Sequence, residues 1–217
     1  MKILIVAATQ AEFQPAVDVL NVLPNITFSF LVTGVGMLAT AVSLTKILLQ
    51  QQPDLVIQVG IAGSFNASMP LSRVVVVNEE IIGDIGVEEM GVWKDIFDLN
   101  LVAMDSFPFT KKHLPNPYLT KFNMLQLDEV LGITVNEITT NHQRIKQLIK
   151  KYAPEIETME GAALHYVCTD LSMPFIQIRS ISNYIGERDK TKWQIKEAIF
   201  NLNQALIKFI EEMSNNQ

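Results

Sequence analysis

The sequence predicts an α/β fold: a single domain over residues 1–217, with a central mixed β-sheet flanked by helices. Two observations predict it. Short β-branched runs alternate with amphipathic stretches along the chain, the pattern of a sheet covered by helices. The chain has 217 residues, 48% of them hydrophobic and 18% charged. That is enough apolar material for one sizeable core, in a length near the roughly 150 residues of a typical domain.

The elements follow in order. Residues 3–8 (ILIVAA) form a continuous apolar run, as expected of a strand covered on both faces. Residues 26–33 read as the next strand. Residues 36–50 read as a helix, because Met37, Ala41, Leu44 and Leu48 recur at helical spacing. Buried strands are expected at 54–60, after Pro53, and at 73–77, with a further strand at 133–139. Helices are expected at 141–152 and 160–171, and the last strand at 174–181. The final helix spans 191–213, where Ile195, Ile199, Leu202, Leu206, Phe209 and Met213 keep its period. Thr191 and Gln194 have the spacing of a capping box at its start. Residues 83–132, which contain Gly83, Gly86, Gly91, Pro108, Pro115 and Pro117, read as long loops.

Composition excludes several functions. Seventeen basic and 23 acidic side chains leave a net charge of −6, and no basic stripe is visible, so no nucleic-acid partner is expected. No segment reaches 18 uninterrupted apolar residues, so no membrane span is expected. The apolar start is too short for a signal peptide, and Glu12 follows at once. One cysteine, Cys168, allows no internal disulfide and fits a reducing cytoplasm. Three scattered histidines lack metal-ligand spacing, so no metal and no cofactor are expected.

In α/β sheets, ligands bind beyond the carboxyl ends of strands. The residues there are Thr9, Gln10 and Glu12, Thr33 to Gly36, Gly60 to Ser64, and Ser182 to Tyr184; Glu160 opens a helix. Gly34 and Gly36 do not make a strict dinucleotide fingerprint: the third glycine position is Ala39, and residues 56–59, where the ribose contact is sought, read Val-Ile-Gln-Val. Their turn either opens a helix or lets the backbone approach a polar ligand. Glu12 and Glu160 either support helix dipoles or act chemically. Asn183 is either a turn residue or a ligand contact. Arg179, near the end of a buried strand, needs a carboxylate partner and is either a structural ion pair or a site organiser. Met159 is either core or padding for an apolar ligand face. His165 and Cys168 read as packed residues.

Together these positions are more specific. Glu12 at the exit of strand one, TGVGMLATA (33–41), VGIAG (59–63), TMEGAA (158–163) and IRSISN (178–183) occur in this order. The set resembles the nucleoside phosphorylase/nucleosidase superfamily, in its hydrolytic branch, over nearly the whole chain. Within it, GDIGVEEMGVW (83–93) and SNYIGERDKTKW (182–193) resemble the futalosine hydrolases of the alternative menaquinone pathway. The related methylthioadenosine/S-adenosylhomocysteine nucleosidases end the last motif in Ser-Asp, where this chain has Ser182-Asn183. The alternative readings are such a nucleosidase and a catalytically silent nucleoside-binding domain.

The resemblance implies a small-molecule nucleoside substrate and a homodimer or larger homo-oligomer. It implies Glu12 as the base that activates water and Glu160 as the acceptor for the ribose hydroxyls. Met159 would lie on the sugar face, and Arg179 would pair with a carboxylate such as Glu12. Asn183 would hold the leaving purine, while Ala8, Gly63 and Asn136 would shape the pockets. Gln58 stands where hexameric phosphorylases carry a phosphate-binding arginine, which favours water as nucleophile. Phe107, Phe109 and Arg188 are candidates for the 5′ side of the substrate.

Overall fold

The computed structural model describes residues 1–23 and 26–215. The elements, in chain order, are β1 (Lys2–Ala7), α1 (Gln14–Leu20), β2 (Thr27–Val32), α2 (Met37–Gln51), β3 (Leu55–Ser64) and β4 (Val74–Ile82). A hairpin of β5 (Gly86–Glu89) and β6 (Val92–Asp95) follows, then β7 (Leu114–Pro115), α3 (Leu119–Phe122) and β8 (Glu129–Thr134). The chain ends with α4 (His142–Tyr152), β9 (Ile156–Thr158), α5 (Gly161–Asp170), β10 (Phe175–Tyr184) and α6 (Ile195–Asn215).

The sheet is mixed, with strand order β10-β4-β8-β9-β3-β1-β2, and β3 also pairs β10, so part of it closes on itself. Helices flank both faces, as the alternating pattern predicts. Along β1, Ile3, Ile5 and Ala7 face the core shared with α1 and α6, while Leu4 and Val6 face the core shared with α2 and α5. A strand buried on both sides has no polar face to show, which explains its unbroken apolar run.

Three expectations are corrected. The strand expected at 133–139 is β8, which ends at Thr134; beyond Val135, whose N–H donates to the Thr158 carbonyl, the Asp84 carboxylate captures the backbone N–H of Asn136. The capping box at Thr191 does not form. Asp189 accepts from the Thr191 N–H and hydroxyl and caps a single 3₁₀ turn, Trp193 is extended, and α6 starts at Ile195. The stretch 83–132 is not all loop: it holds the β5–β6 hairpin, β7, α3 and the start of β8.

Two long strands position the site. One edge of β3 pairs β1 as far as Gln58, and β9 takes the same edge only at Gly63. The stretch between is an open notch in the sheet. On the other side of β3, the β10 ladder shifts register between Ile181 and Asn183. A bulge of this kind re-aims a side chain at the end of a strand.

Below the notch lies a buried polar cluster. The Glu80 carboxylate accepts from the Thr134 hydroxyl at 2.9 Å and from the Gln177 amide at 2.9 Å. Burial raises its pKa from 4.5 to about 7. The stability this group contributes is therefore full below pH 4.5 and lost as pH rises through about 7. His165, also buried, is pushed the other way, from 6.5 down to about 4. Its contribution is full above pH 6.5 and lost as pH falls toward 4. The two slopes oppose each other, and Glu80→Gln removes one of them. The variant should gain roughly 2 kcal/mol relative to wild type on moving from pH ~4.5 to ~6.5. Urea unfolding at both pH values checks this; the same pH response in both proteins would contradict it.

Candidate active site

The notch opens into a cavity of about 390 Å³, within the range of small-ligand sites. Ala8, Glu12, Gly63, Met159, Glu160 and Asn183 all line it. Six positions spread between residues 8 and 183 thus converge at the ends of β1, β3, β9 and β10.

Glu12 closes a single 3₁₀ turn, Gln10–Glu12, directly after β1. Its Oε2 accepts from the Thr9 N–H at 2.9 Å and the Thr9 hydroxyl at 3.0 Å. Its Oε1 accepts from the Ile61 N–H at 3.2 Å, on the edge of β3 left open between β1 and β9. A carboxylate has about four acceptor positions, so about one remains for a water or substrate in the cavity. The turn is clamped from behind: Asn203 on α6 donates to the Glu12 carbonyl at 2.9 Å and accepts from the Ala16 N–H at 3.1 Å.

Glu160 sits at the start of α5. Its Oε1 accepts from the Gly36 N–H at 3.0 Å. Gly36 has φ = 94°, a conformation that side-chain-bearing residues avoid, and this turn aims its N–H at the carboxylate. Burial raises the Glu160 pKa, against the pull of Arg179 and the Gly36 N–H.

Arg179 does not line the cavity but lies buried beneath it. It donates to Gln58 Oε1 at 2.6 Å, and its Nη1 is 3.9 Å from Glu160 Oε2. The sequence suggested Glu12 as its partner. Glu160 takes that place instead, because three N–H and O–H donors already satisfy Glu12. Gly60 makes room for the guanidinium: a Cβ there would stand 2.1 Å from Nη1.

Asn183 lies just past the β10 bulge. Its Oδ1 accepts from the Ser182 hydroxyl at 2.8 Å, and its Nδ2 donates to the Tyr184 carbonyl at 3.2 Å. This fixes the amide with nitrogen as the free donor, one hydrogen remaining for a ligand. Asn136 is outside the cavity. Held by Asp84, it borders a separate groove with Met37, Leu38 and Tyr166. None of the 5′ candidates lines the cavity, although Arg188 stacks on Trp193, which does. Phe109 packs on Phe97 and Tyr166, and Phe107 is exposed.

Sequence reasoning missed Ile138, Trp193 and Glu157, which line the cavity, and Asn203 behind it. Two of these carried a signal: Asn203 interrupts the apolar stripe of the last helix, and Glu157 interrupts the buried run before Met159. Among the described residues, the lining holds three carboxylates, Glu12, Glu157 and Glu160, and no lysine or arginine.

The family model described as the phosphorylase superfamily matches residues 2–213. Futalosine hydrolase of Thermus thermophilus is 27% identical over 187 residues, 85% of this chain and 82% of that protein. A 5′-methylthioadenosine/S-adenosylhomocysteine nucleosidase of Shewanella sp. (strain MR-7) is 29% identical over 160 residues, 70% of this chain and 64% of that protein. In fold, the chain matches the structure of a futalosine hydrolase mutant of Helicobacter pylori with a TM-score of 0.80 and 17% identity, over 100% of both chains. The chain belongs to the phosphorylase superfamily.

Proposed function

We propose that this protein hydrolyses the N-glycosidic bond of a 6-oxopurine nucleoside. The substrate that fits best is futalosine, cleaved to hypoxanthine and dehypoxanthine futalosine. One observation carries the choice of water over phosphate: a nucleoside-sized cavity lined by three carboxylates and no cation. A phosphate dianion there would meet like charges, each close pair costing about 1–4 kcal/mol in a partly wet site. A ribosyl cation developing in the same place is stabilised by the same charges.

In this reading, Glu12 takes a proton from the attacking water as oxygen bonds to C1′. The C1′–N9 bond breaks, its electrons pass to the purine, and the purine anion takes up a proton from solvent to leave as neutral hypoxanthine, while Glu12 returns the proton of water to solvent. Glu160 accepts from the ribose 2′- and 3′-hydroxyls. Asn183 donates to the purine at N7 or at the 6-oxo group, where charge accumulates. An aspartate at 183 would instead hold a proton for the N7 of adenine, and when ionised would repel a 6-oxo group. The futalosine hydrolase relative supports this choice.

Incubation with futalosine and methylthioadenosine side by side tests the substrate. Hypoxanthine should appear faster than adenine, and the reverse order would overturn the assignment.

The protein also acts, in this reading, as a homo-oligomer in the cytoplasm. Val35, which lines the cavity, is exposed together with Leu38 and Val42 of the adjoining α2. Apolar side chains grouped beside a site mark a surface that another subunit covers. Light scattering should give a multiple of the 24.4 kDa chain mass; a monomer would contradict it.

A further inference from the structure

We infer that Glu157 is a specificity-determining residue: its unpaired carboxylate oxygen accepts a hydrogen bond from N1–H of the purine and so selects 6-oxopurines over 6-aminopurines. The inference rests on the proposed function in one respect, that a purine occupies the cavity beside Asn183.

Glu157 is the middle residue of the three-residue strand β9. Alternation sends its neighbours the other way. Ile156 enters the core with Val75 and Val77, and Thr158 joins the Glu80 cluster. Glu157 alone of the three has no place in those clusters, and it lines the cavity at 6% exposure. Its Oε1 accepts from the Thr139 N–H at 3.1 Å. Its Oε2 is buried and has no hydrogen-bond partner. Buried carboxylate oxygens are rarely left in this state, because the lost hydration is not replaced. Among the described residues no cation is paired with it, and the nearby charge of Asp84 disfavours its ionised form further. Burial raises its pKa. A donor arriving from the cavity would satisfy the orphan oxygen and reverse that effect.

The register shows what kind of donor fits. Glu157 pairs directly with Gly63 across the antiparallel ladder, so both face the same side. Asn183 Nδ2 lies 3.3 Å from where a Cβ on Gly63 would stand. The cavity wall therefore carries an amide donor beside a carboxylate acceptor. A 6-oxopurine presents the complementary pair, the acceptors N7 and O6 followed by the donor N1–H. A 6-aminopurine presents a bare N1 lone pair to the carboxylate, an acceptor against an acceptor.

Calorimetric titration of the intact protein with free bases tests this without requiring turnover. Wild type should bind hypoxanthine about 10–10²-fold more tightly than 1-methylhypoxanthine, which lacks N1–H, and than adenine. Glu157→Gln keeps the shape, relieves the buried charge and can donate to N1. In that variant the preference over adenine should fall by about 10-fold or more. Equal binding of hypoxanthine and its 1-methyl derivative by wild type would overturn the inference. An unchanged adenine ratio in the variant, or no binding of hypoxanthine, would overturn it too. The hydrolysis assay fails separately: N1-dependent binding without cleavage refutes the proposed reaction and supports this contact, whereas cleavage with N1-independent binding refutes this contact alone.

Discussion

Glu12→Gln should leave nucleoside binding in place and lower kcat by about 10²–10⁴-fold, the usual contribution of a general base. The amide keeps the size of the side chain. Its oxygen can still accept from Thr9 or Ile61, so the turn that Asn203 clamps should survive. What the variant lacks is a group able to take the proton of water. Single-turnover kinetics beside calorimetric binding of the substrate separates the two effects. Wild-type turnover by Glu12→Gln would remove this carboxylate from the chemistry. Lost binding with a normal rate at saturation would recast it as a purely structural support.

The second large effect is expected at Glu160. Glu160→Gln should reduce kcat/KM by about 10²–10⁴-fold, since two hydrogen bonds to a charged acceptor contribute about 1.5–3 kcal/mol each. A structural role would act equally on every substrate, whereas a hydroxyl contact would not. On a 2′-deoxynucleoside the variant should lose distinctly less relative to wild type than it does on the ribonucleoside; an equal loss on both would argue against the contact. The carboxylate also has a pH signature. Burial raises its pKa above the ordinary 4.5, so its ionised, accepting form is lost as pH falls through that raised value. The acid limb of kcat/KM should therefore lie above pH 4.5. A limb below it would show that another group governs the acid side.

Much of the site was legible because strand ends are legible. β1 has no polar face, so its run of apolar residues marks where it stops, and Glu12 stands out as the first acid beyond it. β3 and β10 run past the ends that their sequences suggest, to Ser64 and Tyr184, so Gly63 and Asn183 lie on the last residues of the strands and not beyond them. What stayed hidden depends on competition between distant groups. Nothing near Asn136 foretells that a carboxylate 52 positions away takes its N–H and ends the strand early. Nothing near Arg179 foretells that donors from Thr9 and Ile61 satisfy Glu12 first and leave Glu160 as the guanidinium's partner. The start of α6 is displaced from Thr191 for a similar reason: Asp189 caps Thr191, and the Ser182 carbonyl, next to the bulge, holds the N–H of Gln194. The β5–β6 hairpin was obscured by its exposure, since its strands bury too few side chains to show alternation.

The most direct measurement is the product analysis of futalosine cleavage in phosphate-free buffer, repeated with phosphate added. Hypoxanthine and the free sugar product should form in both, at the same rate. A requirement for phosphate, with a sugar 1-phosphate as product, would show that the acid-lined cavity accepts an anion and that water is not the nucleophile.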